Sequence, residues 1–329
     1  MSANKTLLGW QGNGFSGLVS RNIEWNPHNP THLILQGMDG AKAVQSWDAG
    51  RNWRIENPGL PAYSGGYDVA FAPGYIFAVF GQGNDDSELI ARSSDLGMNW
   101  SLLKAPVSPA EATQVHVDPD YPDRLWVVVD QQLWFSRNAT QTTPPQWTQL
   151  NVGSEGNPVG RIEAVSDQST AFYIATDNGV DYTAEGLDFA PVGGLKDAKN
   201  VSIAITPSNP NTLYAAEGKS YLGDYGVWRY TVLDNSWARV WNNRDVTARI
   251  GDIAVHPYSS NILATITEDH PFRDETQASG VWLSKDGGEN WQQEIIGLPL
   301  LRGGTIEFSP DGQSLAVGLG GGGFYIADL

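Results

Sequence analysis

The sequence predicts an all-β chain folded as a single seven-bladed β-propeller of four-stranded blades, with an N-terminal strand closing the last blade. Three observations predict it: an eight-residue frame repeated in full three times, strand–turn–strand units recurring along all 329 residues, and a final unit one strand short.

The frame is Ser-x-Asp-x-Gly-x-x-Trp, at Ser46–Trp53, Ser93–Trp100 and Ser284–Trp291. It has the chemistry of a hairpin turn. The carboxylates of Asp48, Asp95 and Asp286 are placed to accept backbone N–H groups, and Gly50, Gly97 and Gly288 supply the positive φ of the reversal. Trp53, Trp100 and Trp291 then pack between neighbouring sheets as large buried anchors. These aspartates therefore read as turn staples, not as catalytic acids. Degraded copies stand at Ser136-Arg137-Asn138, with Trp147 displaced, and at Thr183-Ala184-Glu185-Gly186.

An alternating strand, a proline turn and a second strand precede several frames, as in Asn22–Pro30 before Leu33–Leu35 and Val115–Pro122 before Leu125–Val129. Proline suits those turns because it cannot donate to a central ladder. The units begin near residues 16, 63, 113, 161, 199, 249 and 301, a spacing that fits a four-stranded blade. The last unit holds only Thr305–Phe308, Ser314–Gly318 and Phe324–Ala327. The orphan apolar segment Lys5–Trp10 supplies its missing outer strand, which hides two sheet edges at once. Residues 1–329 thus form one domain.

Composition agrees and narrows the function. The 37 Gly, 19 Pro and 13 Trp, against 17% charged residues, suit many tight turns and large packed side chains. A net charge of −17 argues against nucleic acid, and no apolar run reaches the ~20 residues of a membrane span. Zero cysteines exclude disulfides, thiol catalysis and thiolate metal sites. The five histidines (His28, His32, His116, His256, His270) are spread over three units, with His28, His116 and His256 at inner-strand turns, so no metal or other cofactor is expected. Met1–Lys5 carries no apolar signal core, while the acidic cysteine-free composition suits an extracellular or periplasmic protein.

A ligand is expected on the face built by second-to-third-strand loops and blade connections. That face contains Gly37–Gly40, Gln82–Glu88, Glu217–Tyr225 and Glu268–Asp274, with Trp10, Tyr63, Tyr67 and Asp68 from the connections. Aromatics such as Trp10, Tyr63, Tyr67, Tyr221 and Tyr225 beside carboxylates and amides are what sugar recognition needs. Arg21, Arg161, Arg249 and Arg302 stand at or near inner-strand starts. They either converge on the channel mouth to bind an anion or pair with Glu24, Glu163, Asp252 and Glu307.

The repeated frame resembles that of the Asp-box (bacterial neuraminidase repeat) propellers. The sialidase branch is disfavoured, because its N-terminal Arg-Ile-Pro signature is missing. Gly12–Gly17, Ile23–Trp25, Asn26-Pro27-His28-Asn29-Pro30, Leu33–Leu35 and Gly37-Met38-Asp39-Gly40 follow the order of the first blade in the xyloglucan-cleaving double-propeller glycosidases. The resemblance implies Asp39 as a catalytic carboxylate. Those enzymes carry the second carboxylate on a second propeller. A one-propeller version must find it on its own loops, among Asp68, Glu268 and Asp269, because glycoside hydrolysis needs two carboxyl groups ~5–9.5 Å apart. The expected partner is a polysaccharide or oligosaccharide. The alternative is a protein partner, as for the non-catalytic branch of sortilin-type receptors and photosystem-assembly propellers.

Overall fold

The computed structural model describes residues 9–12, 20–37, 42–55, 58–60, 65–81, 89–107, 111–152, 158–165, 170–176, 179–195, 201–206, 208–217, 226–242, 249–268 and 278–329. Within these residues every regular element is a strand, and the strands form seven antiparallel sheets arranged as a propeller. Blade 1 contains β2 (Ser20–Asn26), β3 (Asn29–Gly37) and β4 (Val44–Ser46). Blades 2 to 6 follow in chain order with innermost strands β5 (Gly66–Ala72), β9 (Ala112–Val117), β13 (Pro158–Ala164), β17 (Val201–Ile205) and β21 (Arg249–His256). Blade 7 contains β25 (Gly303–Phe308), β26 (Ser314–Leu319) and β27 (Gly323–Asp328), with β1 (Gln11–Gly12) outermost.

Each blade is covered on both faces by its neighbours, so second strands are near-continuous apolar runs instead of alternating ones. Leu125-Trp126-Val127-Val128-Val129 is buried at every position. The core lies between blades: Ile23, Trp25 and Leu35 of blade 1 pack on Ala316, Phe324 and Ile326 of blade 7, and comparable clusters fill the other junctions.

The three full frames form one repeated hydrogen-bonded turn. Ser46 Oγ donates to Asp48 Oδ1 (2.9 Å) and accepts from the Gly50 amide (2.8 Å), while Asn52 donates its backbone N–H to Asp48 Oδ1 (2.8 Å) and its side-chain amide to Oδ2 (2.6 Å). The Ser93 and Ser284 copies make the same bonds. At Ser136 the first bond survives with Asn138 as the acceptor (2.9 Å), and at Thr183 only the bond from the Gly186 amide (2.8 Å) is kept.

Two expectations are corrected. The closing pairs are Gln11 with Ile326 and Gly12 with Tyr325, so the closing strand follows Trp10 instead of ending at it; Lys5–Leu8 lie outside the described residues. The reason is the frame itself, in which each outer strand starts at or just after its tryptophan. Trp10 fills that position for blade 7: its backbone N–H bonds Ile296 O as that of Trp100 bonds Pro58 O, both at 2.9 Å. Nor are the frame tryptophans equally buried. Trp100 is 6% exposed, but Trp53 and Trp291 are half-buried, one edge-on to Phe324 and the other stacked on Trp241. In blade 1 the fourth-strand position is marked, among the described residues, by the antiparallel bridge between Gln45 and Arg54.

Candidate functional site

The seven innermost strands ring a central channel, and six of them pair irregularly near their starts. Such bulges re-aim the side chains beside them. Three of these side chains strap one blade to the next. Asp68 Oδ2 accepts from the Val115 amide (2.9 Å), Gln114 Oε1 from the Ile162 amide (3.3 Å) and Asp252 Oδ2 from the Ile306 amide (3.1 Å). Asp68 Oδ1 also accepts from Asn22 Nδ2 (3.0 Å) and the Val69 amide (2.9 Å).

Arg161 reaches from blade 4 into the centre of this ring. Its guanidinium lies 2.6 Å from Glu163, 3.5 Å from Asp252, 3.8 Å from Glu24 and 3.9 Å from Glu307. The four carboxylates named as partners for four arginines therefore share one. Arg21 lies over the Tyr67 ring at 3.9 Å, Arg249 pairs with Glu268 at 3.5 Å, and Arg302 Nε donates to Gly320 O at 2.9 Å. The four guanidiniums do not converge, because the blade phase points only Arg161 at the axis.

Burial dominates the titration of the ring. It pushes Asp68 and Glu163 up to about 7 and Glu307 to about 8, with the attraction of Arg161 offsetting only part of the cost. Glu24 is held well above its ordinary range by burial and then by Glu307. Burial alone lowers Arg161, but Glu163, Asp252, Glu307 and Glu24 outweigh it and keep it firmly charged. His116, inside β9 and not at a turn, is pushed down to about 4 by burial against Trp126 and Phe172.

The ring floors a well of about 380 Å³ whose rim is formed by Pro27, His28, Pro119, Pro257, Tyr258 and Pro310. These rim residues belong to first-to-second-strand turns, so the well opens on the face opposite the blade connections. The loops expected to border a mouth on the other face, Gly37–Gly40, Gln82–Glu88, Glu217–Tyr225 and Glu268–Asp274, lie largely outside the described residues. At the connection end the inner strands of blades 6 and 7 pack closely, since a Cβ on Gly251 would sit 2.4 Å from the Gly303 carbonyl oxygen.

Several expected ligand residues are engaged elsewhere. Trp10 is 5% exposed and its indole donates to Glu294 O (2.9 Å), which makes it part of the blade 6–7 core instead of a sugar platform. Tyr67 is half-buried beneath Arg21, lies against Gly81 and donates to Glu111. Asp39, Tyr63, Tyr221, Tyr225 and Asp269 lie outside the described residues. The ring itself was missed as an assembly, although its members alternate visibly along the inner strands as Asn22/Glu24, Arg161/Glu163 and Thr305/Glu307. Among the described residues no cluster of His, Asp and Glu fits a metal, and no helix is long and apolar enough to cross a membrane.

Fold and site define a seven-bladed propeller whose channel is plugged by one arginine and a ring of acids. No family profile matches the chain. A xyloglucanase of Paenibacillus sp. is 24% identical over 218 residues, 63% of this chain, which spans only 19% of that protein. Among solved structures, YCF48 from Cyanidioschyzon merolae matches at TM-score 0.68 and 16% identity over 97% of this chain and 98% of its own. YCF48 bound to D1 peptide matches at TM-score 0.67 and 15% identity over 95% and 93%. The GH74 xyloglucanase from Xanthomonas campestris matches at TM-score 0.72 and 16% identity over 96% of this chain and 53% of its own. At these identities the likeness is one of fold.

Proposed function

We propose that this chain is an Asp-box propeller that binds a neutral polysaccharide of the β-glucan class, outside the cytoplasm, without cleaving it. The observation that carries the reading is the 218-residue sequence match to a xyloglucanase. Binding is favoured over turnover by the state of the candidate carboxyls. Both oxygens of Asp68 accept hydrogen bonds within the channel wall, and Glu268 is paired with Arg249. Neither is free to act beside Asp39 as the second group a glycosidase needs, and the third candidate, Asp269, lies outside the described residues.

A specific observation favours a second reading, a protein-binding scaffold: this chain and YCF48 match from end to end, and one YCF48 structure carries a bound peptide. A microarray of neutral and charged polysaccharides, run beside a reducing-sugar assay, separates the readings. Retention of β-glucans without sugar release supports binding. Release that Asp39→Asn abolishes, with binding kept, makes the chain a glycosidase. Neither retention nor release across the panel replaces the glycan reading with the scaffold.

A further inference from the structure

We propose that the channel ring is a pH-operated clasp, which holds the blades together while its carboxyl groups keep protons and loosens the ring of blades when they ionise. This goes beyond the ligand reading and does not depend on it.

The case starts from a charge count. Glu24 of blade 1, Asp68 of blade 2, Glu163 of blade 4, Asp252 of blade 6 and Glu307 of blade 7 surround the single guanidinium of Arg161. Five carboxylates against one cation leave four negative charges uncompensated when all are ionised. The remaining inner strands supply no second cation: β9 presents Gln114 and His116, β17 presents Ser202, and β25 presents Thr305 beside Glu307. His116 is held neutral by burial, and Asp118 beyond it is paired with Arg124 at 3.2 Å. His28 stands at the rim. The carboxylates keep only about a fifth to a quarter of their surface (Glu24 25%, Glu307 20%, Glu163 18%) and Asp252 keeps 8%. Burying unpaired charge at such sites costs several kcal/mol per ion, so Glu24, Asp68, Glu163 and Glu307 relieve the ring by holding protons. Glu307 Oε2 makes no hydrogen bond among the described residues and meets the Arg161 guanidinium only at 3.9 Å, so an ionised Glu307 is poorly compensated.

The same groups are mechanical. Asp68 and Asp252 hold the next blade by its backbone, and Arg161 ties blade 4 to blades 1, 6 and 7. Ionisation therefore sets repulsion across the straps that close the propeller. The closure that must resist it includes, among the described residues, the pairing of β1 with blade 7 at Gln11 and Gly12 and the seating of Trp10 between blades 6 and 7.

The sign follows from linkage. Asp68, Glu163 and Glu307 bind protons more tightly folded than unfolded. Their contribution is full in the ordinary carboxyl range near 4 and is lost as pH rises through about 7 to 8. Thermal melts of the full chain between about pH 5 and 9 test it, on the wild type, on Glu24→Gln/Glu307→Gln, whose amides mimic the protonated ring, and on a surface control, Glu185→Gln/Asp234→Asn. The wild type and the control should lose about 5 °C or more between pH 6 and 9, and the ring variant should lose much less. A wild-type melt that is flat or rises over this range overturns the clasp, as does a ring variant that keeps the wild-type slope. Should the double variant not fold, calorimetry of the wild type near pH 6.5 in buffers of different ionisation heat decides: unfolding must release protons, and uptake or no exchange overturns the proposal.

Discussion

Two buried tryptophans differ in one respect that mutation can isolate. Trp126 is fully buried and its indole N–H donates to Gly186 O at 2.6 Å, whereas the indole N–H of Trp100, 6% exposed, has no acceptor among the described residues. Replacing either with Phe removes a similar volume, so the cavity cost is comparable and cancels in the difference. Trp126→Phe also leaves the Gly186 carbonyl without its donor in a buried setting, at a cost of about 1–3 kcal/mol. Trp100→Phe instead removes an orphaned donor and recovers part of a penalty of that size. Trp126→Phe should therefore be less stable than Trp100→Phe by about 2 kcal/mol, taking the middle of that range. Urea unfolding followed by far-ultraviolet circular dichroism, with slopes unchanged between variants, measures it. Equal losses, or a larger loss for Trp100→Phe, would refute the argument from donor satisfaction.

Leu96 occupies a left-handed position (φ 59°) where the third copy of the turn has Gly287 (φ 76°), and it is 58% exposed. Leu96→Gly should stabilise by about 0.5–1 kcal/mol, the relief of strain less the glycine's entropy, and denaturant melts showing a loss would contradict this. Gly59→Ala should cost about 3 kcal/mol or more, because its Cβ would meet Trp100 O at 2.0 Å; Gly74→Ala, with open space around it, should cost about 1 kcal/mol. Similar melts for the two would contradict the steric account. In acid the turn aspartates work in the opposite sense to the channel ring. Hydrogen bonds from Asn52 and Asn99 hold Asp48 and Asp95 below the ordinary range, and those from Asn290 do so for Asp286 against the effect of burial. Their contribution is present above about pH 4 and fades as pH falls through the folded values, so Asp95→Asn should flatten the acid limb of a Tm–pH profile.

How much was legible varies with the range of the interactions. The turn of Ser93, Asp95, Gly97 and Asn99 closes within seven residues, so its hydrogen bonds follow from the order of side chains. Trp10 was misread because its partners, Glu294 and Ile296, are some 284 residues away, and only the geometry of Trp100 and Pro58 reveals the same position. Arg161 beside Glu163 is visible as a local pair, but Glu24, Asp252 and Glu307 reach it only once the ring of blades has closed.

The sequence by itself determined the architecture. A repeated frame, a regular unit spacing and a unit one strand short dictate a closed ring of β-sheets, because each blade can bury its apolar faces only against its neighbours. Only the tertiary structure decided where charge collects. Six inner strands, bulged near their starts, converge with the seventh on one axis and gather acids from five blades around a single arginine, over a well that opens away from the blade connections. That outcome depends on the angle at which each strand meets the channel. The angle is set by blade packing and by the bulges, so a side chain's neighbours across the axis are not written in its own stretch of sequence.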